Sequence, residues 1–127
     1  MTDRPQSELA HALEMRRRVL GADYVERATS GQDDAGRDFQ DAITRQAWSV
    51  WTRPGLASRD RSLLVLAMTG ALGRMDEFEL HVRSAENAGV LDTEIDELLL
   101  QMAAYCGAPA AVSARKVVLR IRRERDR

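Results

Sequence analysis

The amino-acid sequence predicts an all-α protein. Apolar residues recur at the three- and four-residue spacing of helices along most of the 127 residues, and no stretch has the alternation that is typical of a strand. Glycine and proline fall between these periodic stretches, where they end helices. A chain of this length fits one compact domain, so we expect residues 1–127 to form a single domain.

The first part of the chain predicts two helical regions. Residues 6–28 have helical periodicity with a break at Gly21, and residues 30–38, SGQDDAGRD, are rich in turn-forming residues and predict a loop. A second helix is expected from about Phe39, with an inner side formed by Phe39, Ile43, Ala47 and Val50.

The end of this second helix is fixed by Pro54. The residue before proline is disfavoured in the helical conformation, and Pro-Gly favours a turn, so Arg53 is expected at a corner. Trp48 and Trp51, near the end of the helix, are expected to be core or subunit contacts.

The second part of the chain begins with the most apolar stretch. Ser58 or Asp60 can cap a helix whose body, residues 63–72, is apolar on every side. We therefore expect this helix to be buried at the centre of the fold. Gly73 should end it.

Three further helices are expected. Residues 76–88 precede Gly89, a typical left-handed C-cap, and residues 93–106 precede Gly107. Pro109 stands at a natural first helical position. The inner side of this last helix is predicted from its apolar residues, Val112, Val117, Val118 and Ile121. Several of these helices lack a fully polar face, so we expect a homo-oligomer.

The charge balance disfavours binding to polyanions. Lysine and arginine total 19 against 20 for aspartate and glutamate, which gives a net charge of -1. This provides no general attraction to nucleic acid or anionic membranes. A nucleic-acid binder is still an alternative because the chain ends in a basic segment, although no aromatic residue lies within it. Its basic residues are Arg115, Lys116, Arg120, Arg122, Arg123, Arg125 and Arg127.

The sequence indicates a cytoplasmic protein. Its single cysteine, Cys106, excludes an internal disulfide, and the first eleven residues, MTDRPQSELAH, contain no apolar signal-peptide region. The apolar run at residues 63–72 is about half the roughly 20 residues needed to span a bilayer. No membrane segment is therefore expected.

Glu77 and His81 are the first candidates for a functional site. Their four-residue spacing places both side chains on one face of a helix, beside the apolar stripe of Phe78, Val82 and Ala85. The pair would then lie at the rim of an apolar surface, which suggests proton chemistry. The alternative is an ordinary helix-surface pair.

Six stretches of the chain resemble the 4-carboxymuconolactone decarboxylase family. They are MRRRVLGADYVERA, DFQDAITRQAW, WTRPGL, RSLLVLAMTGALGR, DEFELHVRSAENAGV and EIDELLLQMAAYCGAPAA. The resemblance implies a compact orthogonal helical bundle of the alkyl hydroperoxidase D-like type, and a homo-oligomer most often described as a hexamer. It also implies a step in the protocatechuate branch of the 3-oxoadipate pathway, with no metal or organic cofactor.

Relatives that reduce peroxides carry Cys-x-x-Cys with a histidine four residues after the second cysteine. Counting back from His81 places Arg74 and Glu77 at the two cysteine positions, so a disulfide cycle has no thiols to use. Cys106 alone cannot replace the pair, and we expect it to be a buried structural thiol.

Decarboxylation of a lactone dicarboxylate fits the residues that are present. The electrons left by carbon dioxide can spread onto the lactone carbonyl, so the enzyme needs cations for carboxylate and an acid that protonates the ring carbon. A histidine suits that acid, because its usual pKa lies near the working pH. The resemblance favours His81 as proton donor and Glu77 as its orienting partner, with the reverse assignment open.

Arg61 and Arg53 are the preferred carboxylate ligands, because guanidinium groups bind carboxylates bidentately. Tyr105 completes the predicted substrate-binding set. Arg83 should point away from the face of His81, and Met75 departs from the larger or more polar residue expected there. For each arginine an ordinary ion pair is the alternative.

The main alternative function is a non-catalytic or differently specific oligomeric member of the same fold. An interaction protein of this kind predicts no pocket around Glu77 and His81. A decarboxylase predicts one.

Overall fold

The computed structural model describes residues 4–127, with side chains from Gln6 onward. Helices account for all of the regular structure in this part of the chain, which confirms the predicted all-α class. The chain forms two compact units, of which the first ends at Ala57 and the second is Ser58–Arg127. The single domain expected from length stays a prediction.

The first unit contains two helical regions. Gly21, with a φ of 93°, separates the first two helices at the predicted break, because a left-handed φ favours glycine. The helices of this unit are α1 (Arg4–Leu20), α2 (Ala22–Thr29), α3 (Asp34–Ile43), a π-helix (Thr44–Trp48) and α4 (Ser49–Trp51).

The second helical region begins earlier than its sequence predicts. Residues 30–38 were expected to be a loop, but α3 begins at Asp34. The carboxylate of Asp33 caps it by accepting a hydrogen bond of 2.8 Å from the backbone N–H of Gly36. The loop prediction is therefore wrong for its second half, because an aspartate-rich turn is also a good helix start.

The buried face of this region also differs from the prediction. Phe39 and Val50 are 64% and 48% exposed, whereas Thr44, Trp48 and Trp51 are buried. The π-helix contains more residues per turn than an α-helix, so α-helical spacing does not carry through it. The two indole rings stack with their centroids 5.0 Å apart, which confirms them as core residues.

A buried arginine joins α1 to the second helical region. The guanidinium of Arg16 donates hydrogen bonds to Gln40 Oε1 at 3.0 Å and to Thr44 Oγ1 at 3.1 Å. Sequence periodicity did not single out Arg16, because it lies among three consecutive arginines.

The second unit contains four helices. Gly89 and Gly107 end two of them with φ values of 91° and 93°, at the positions that the sequence predicts. Pro109 lies in the first turn of the last helix, one residue after the first helical position that the sequence predicted. The helices are α5 (Ser58–Ala71), α6 (Met75–Ala88), α7 (Asp92–Cys106) and α8 (Ala108–Arg125).

The core of the second unit is built where α5, α6 and α7 approach closely. A Cβ atom added at Gly70 would clash with the terminal methyl of Met102 and would lie 3.6 Å from Phe78 Cδ2. Met102 and Phe78 therefore pack beside Gly70, and a larger residue there would displace the flexible end of Met102. The buried apolar cluster consists of Leu66, Phe78, Val82, Ala85, Val90, Ile95, Leu99, Met102, Ala111, Ala114, Val118 and Ile121.

The helix that contains residues 63–72 is not central in this chain. Its buried residues are Ser62, Leu66 and Gly70, on one face. Leu64, Met68 and Leu72 are 44%, 58% and 74% exposed. The prediction of a fully buried helix is wrong for the single chain, because neighbouring helices cover only one of its apolar faces.

Helix α8 packs against the core through Ala111, Ala114, Val118 and Ile121, whereas Val112, predicted on its inner side, is 53% exposed. Three arginines of α8 form ion pairs with carboxylates of α6 and α7, which explains part of the basic segment. These pairs are Arg120–Glu79 at 2.6 Å, Arg122–Asp96 at 2.9 Å and Arg125–Asp92 at 2.7 Å. Hydrogen bonds from Arg120 and, to a smaller extent, from Arg83 lower the pKa of the Glu79 carboxyl.

Candidate active site

Helix α6 positions the predicted catalytic pair. It begins at Met75, after a turn at Leu72 and Gly73, and its first turn carries two carboxylates, which suit the positive end of the helix dipole. The regular helix places Glu77 and His81 one turn apart, as the sequence predicts.

His81 lies inside the second unit. Its side chain is 7% exposed, so it is not the rim residue that the sequence predicted. Loss of water around the imidazole lowers its pKa to about 4. The expectation of a histidine pKa near the working pH is therefore wrong for the unliganded chain, in which the imidazole is neutral at pH 7.

Glu77 is exposed and lines a cavity at the N-terminal end of α6. The cavity has a volume of about 390 Å³. His81 does not line it, so the structure gives the pair two different environments. The cavity lining consists of Gly73, Arg74, Met75, Asp76 and Glu77.

A larger cavity lies between α5 and α7. Its volume is about 750 Å³, and apolar side chains form most of its wall. Tyr105 lines this cavity, whereas Glu77 and His81 do not. The structure therefore does not bring Tyr105 into one cavity with the predicted catalytic pair. Sequence reasoning missed this cavity, although its apolar wall corresponds to the apolar positions of α5 and α7.

The predicted arginines occupy different parts of the chain. Arg61 is half-buried in the first turn of α5, in the second unit. Arg53 is exposed in the first unit, where its N–H donates to the carbonyl of Val50 at 3.1 Å. Arg83 forms hydrogen bonds with Glu79 and Glu124, which agrees with its low rank as a substrate ligand.

The sequence model of the carboxymuconolactone decarboxylase family matches residues 37–120, which is more than half of the chain. The chain belongs to this family. The match extends from α3 to α8 and includes Glu77, His81 and all of the predicted substrate-binding residues.

Two curated relatives of this decarboxylase family support the assignment. The chain is 45% identical over 103 residues to 4-carboxymuconolactone decarboxylase of Acinetobacter baylyi, an alignment that covers 80% of this chain and 77% of the relative. It is 42% identical over 103 residues to nitrosuccinic acid decarboxylase of Metarhizium robertsii, an alignment that covers 80% of this chain and 72% of the relative. Both relatives are named as decarboxylases, which agrees with the prediction of a carboxy-lyase.

Cys106 is the sole cysteine of this family member, and it is exposed at the end of α7. The prediction of a buried structural thiol is therefore wrong. Cys106 is the last residue of α7, before Gly107, and it lines the larger cavity together with Tyr105. Arg74 and Glu77 occupy the positions of the two cysteines of the peroxide-reducing relatives, as the sequence indicates.

Two further features concern residues 4–127. Histidine, cysteine and carboxylate side chains do not gather there in groups of three that could hold a metal ion. Among the helices described, none combines the length and the apolar character needed to cross a membrane.

The burial of His81 predicts a pH-dependent stability. Its folded pKa of about 4 lies below the usual 6.5, so its contribution is complete above pH 6.5 and is lost as the pH falls toward 4. We expect the free energy of unfolding to fall by about 2 kcal/mol between pH 7 and pH 5 through this group. Denaturant unfolding at the two pH values measures this change.

The two histidines of the chain provide a test variant and a matched control. His81→Gln should remove most of the loss, whereas His11→Gln should keep it, because His11 is exposed. An unchanged pH dependence in folded His81→Gln would show that another group is responsible.

Proposed function

We propose that this protein is a carboxy-lyase that converts 4-carboxymuconolactone to 3-oxoadipate enol-lactone without a cofactor. The identity of 45% to a 4-carboxymuconolactone decarboxylase over 80% of this chain carries the proposal. The cavity at the N-terminal end of α6 is lined by Glu77 and not by His81, so it does not distinguish a decarboxylase from a non-catalytic interaction protein.

The substrate itself provides the electron sink. When the carboxylate on the ring leaves as carbon dioxide, the electron pair of the broken carbon–carbon bond moves through the double bond toward the lactone carbonyl oxygen. A proton is then added to the ring carbon next to the carbonyl. The protein therefore has to hold the dicarboxylate, stabilise negative charge on the carbonyl oxygen and deliver one proton.

We assign His81 as the proton donor and Glu77 as its orienting partner. The imidazole of His81 is neutral at pH 7 in the unliganded chain, because burial lowers its pKa to about 4. A bound dicarboxylate would raise that pKa, since nearby negative charge favours the imidazolium. Binding of the substrate and protonation of the donor would then support each other. The reverse assignment, with Glu77 as the donor, predicts that Glu77→Gln is the more damaging variant.

Arg61 is the favoured ligand for the spectator carboxylate. It belongs to the same compact unit as Glu77 and His81, and it is half-buried, so a bidentate pair would be only partly screened by water. Arg53 and Tyr105 stay predictions from the sequence alone, because Arg53 belongs to the first unit and Tyr105 lines the cavity between α5 and α7.

The proposal includes a homo-oligomer, as a hexamer, and a place in the protocatechuate branch of the 3-oxoadipate pathway in the cytoplasm. The exposed apolar residues of α5 support assembly, because an uncharged helix face is seldom left in water. Assembly and pathway otherwise rest on the family.

Nitrosuccinic acid is a second candidate substrate. The relative named for its decarboxylation is 42% identical over 80% of this chain, which is close to the first relative. Sequence identity alone therefore does not separate the two substrates.

The first test mixes purified protein with freshly generated 4-carboxymuconolactone and follows substrate loss and carbon dioxide release together. We expect equal amounts of both, with a larger kcat/KM than for nitrosuccinic acid. A larger kcat/KM for nitrosuccinic acid would show that the proposed substrate is wrong and that decarboxylation is still the reaction. No release of carbon dioxide from either acid would contradict the proposed function.

Variants of the catalytic pair test the roles. His81→Gln should lower kcat by about a hundredfold to ten-thousandfold, because general acid catalysis contributes that much. Glu77→Gln should lower it less. Arg61→Lys should mainly raise KM, because a point charge replaces a bidentate fork. Arg123→Lys, at an exposed position of α8, is the matched control and should change neither constant. Near-normal turnover in both folded pair variants would make the pair structural.

Cys106 should be dispensable for the reaction. Cys106→Ser is expected to retain decarboxylation, since the proposed mechanism uses no thiol. Thiol-dependent turnover of peroxide should be absent from the unmodified protein, because Arg74 and Glu77 replace the two required cysteines. Peroxide turnover that disappears in Cys106→Ser would overturn the functional assignment.

A further inference from the structure

Helix α5 is apolar on two opposite faces. Leu66 and Gly70 pack into the core of the second unit, half a helical turn away from an exposed ridge of Leu64, Met68 and Leu72. No charged residue occurs between Ser62 and Gly73. A helix with this composition normally buries both faces.

The ridge lies directly beside the larger cavity. Ala67 and Ala71 are exposed next to the ridge, and they complete the three- and four-residue spacing of a face that packs against another helix. Ala67 also lines the cavity, and its small side chain leaves room there. The remaining apolar wall comes from Leu63, Leu98 and Met102. One face of the second unit therefore carries a ridge and a groove side by side.

A ridge beside a groove can be self-complementary. In two copies related by a two-fold rotation, the ridge of each copy would meet the groove of the other, and both contacts would form at once. The exposed side chains on this face provide enough area for a contact between two copies. They contribute on the order of 500 Å² per copy, or roughly 1,000 Å² in a pair, which is the lower bound for a specific interface. These residues are Leu64, Met68, Leu72 and Tyr105, of which Tyr105 is 83% exposed.

The charges of the cavity disfavour the substrate as its occupant. Its charged lining residues are Glu94 and Glu97, and Glu94 is already paired with Arg59 of the same chain. Glu97 therefore provides the negative charge that repels the dicarboxylate of the proposed reaction, and no basic side chain of the described residues lines the cavity to offset it. An uncharged apolar ridge meets no such repulsion.

We propose that the ridge of Leu64, Met68 and Leu72 and the adjacent groove of Leu63, Ala67, Leu98 and Met102 form a two-fold interface between copies of this chain. We call this surface the α5 face. The proposal rests on the homo-oligomer of the proposed function and adds which surface forms the contact. The contact covers the exposed side of α5 and closes the cavity over Tyr105.

The test places a charge at the centre of the ridge. Met68→Glu should produce a particle of about half the wild-type mass by sedimentation velocity at micromolar concentration, because each two-fold contact would bury two carboxylates. Met68→Leu keeps an apolar side chain of similar volume and should retain the wild-type mass. Circular dichroism checks that both variants keep their helices.

A cross-link provides the second measurement, which does not depend on how Met68→Glu folds. In Cys106→Ser protein, Met68→Cys places a thiol on the exposed ridge of each copy, and a short bifunctional maleimide should link two copies. Arg123→Cys in the same background is the control, and it should not be linked because α8 lies outside the α5 face.

The outcomes separate the two proposals. A wild-type protein that sediments as a monomer overturns both the homo-oligomer and the α5 face. A wild-type oligomer whose mass is unchanged in folded Met68→Glu, with no link through Met68→Cys, overturns the α5 face alone. Loss of mass in Met68→Glu together with the specific cross-link establishes it.

Discussion

The packing of α5, α6 and α7 around the buried side chains of Leu66, Phe78 and Met102 is the contact on which the second unit depends. Gly70 has no side chain, and Met102 and Phe78 fill the space where one would be. Phe78 lies on α6 one residue after Glu77 and three residues before His81, so the packing that buries Phe78 also anchors the helix that carries the proposed catalytic pair. The ion pairs of α8 with α6 and α7 hold the outer side of the same helices.

The same packing sets the chemistry of His81. Phe78 and Val82 of α6 belong to the buried core, and the same helix carries His81 inward. The loss of water around the imidazole lowers the pKa of His81 to about 4. The residue is therefore not a ready proton donor at pH 7. In the proposed reaction, the negative charge of the substrate restores the protonated form, so the reactant would help to prepare its own acid.

Packing on one side of α5 leaves its other side exposed. The second unit uses Leu66 and Gly70 for its own core and leaves Leu64, Met68 and Leu72 at the surface, beside a cavity with carboxylates on its wall. These features fit a helix that serves two interfaces, one within the chain and one between copies. A dicarboxylate substrate is better suited to the neighbourhood of Arg61 than to this cavity.

The sequence by itself determined the helical class, the helix ends at Gly21, Gly89 and Gly107, and the family, because local spacing and turn residues act within a few positions of the chain. It also placed Glu77 and His81 one turn apart. Spacing could not decide which apolar face of α5 is covered, nor whether His81 lies at a rim or inside the core. It also missed the capping of α3 by Asp33 and the exposure of Cys106. Burial depends on which distant helices pack against a face, and only the tertiary structure shows that.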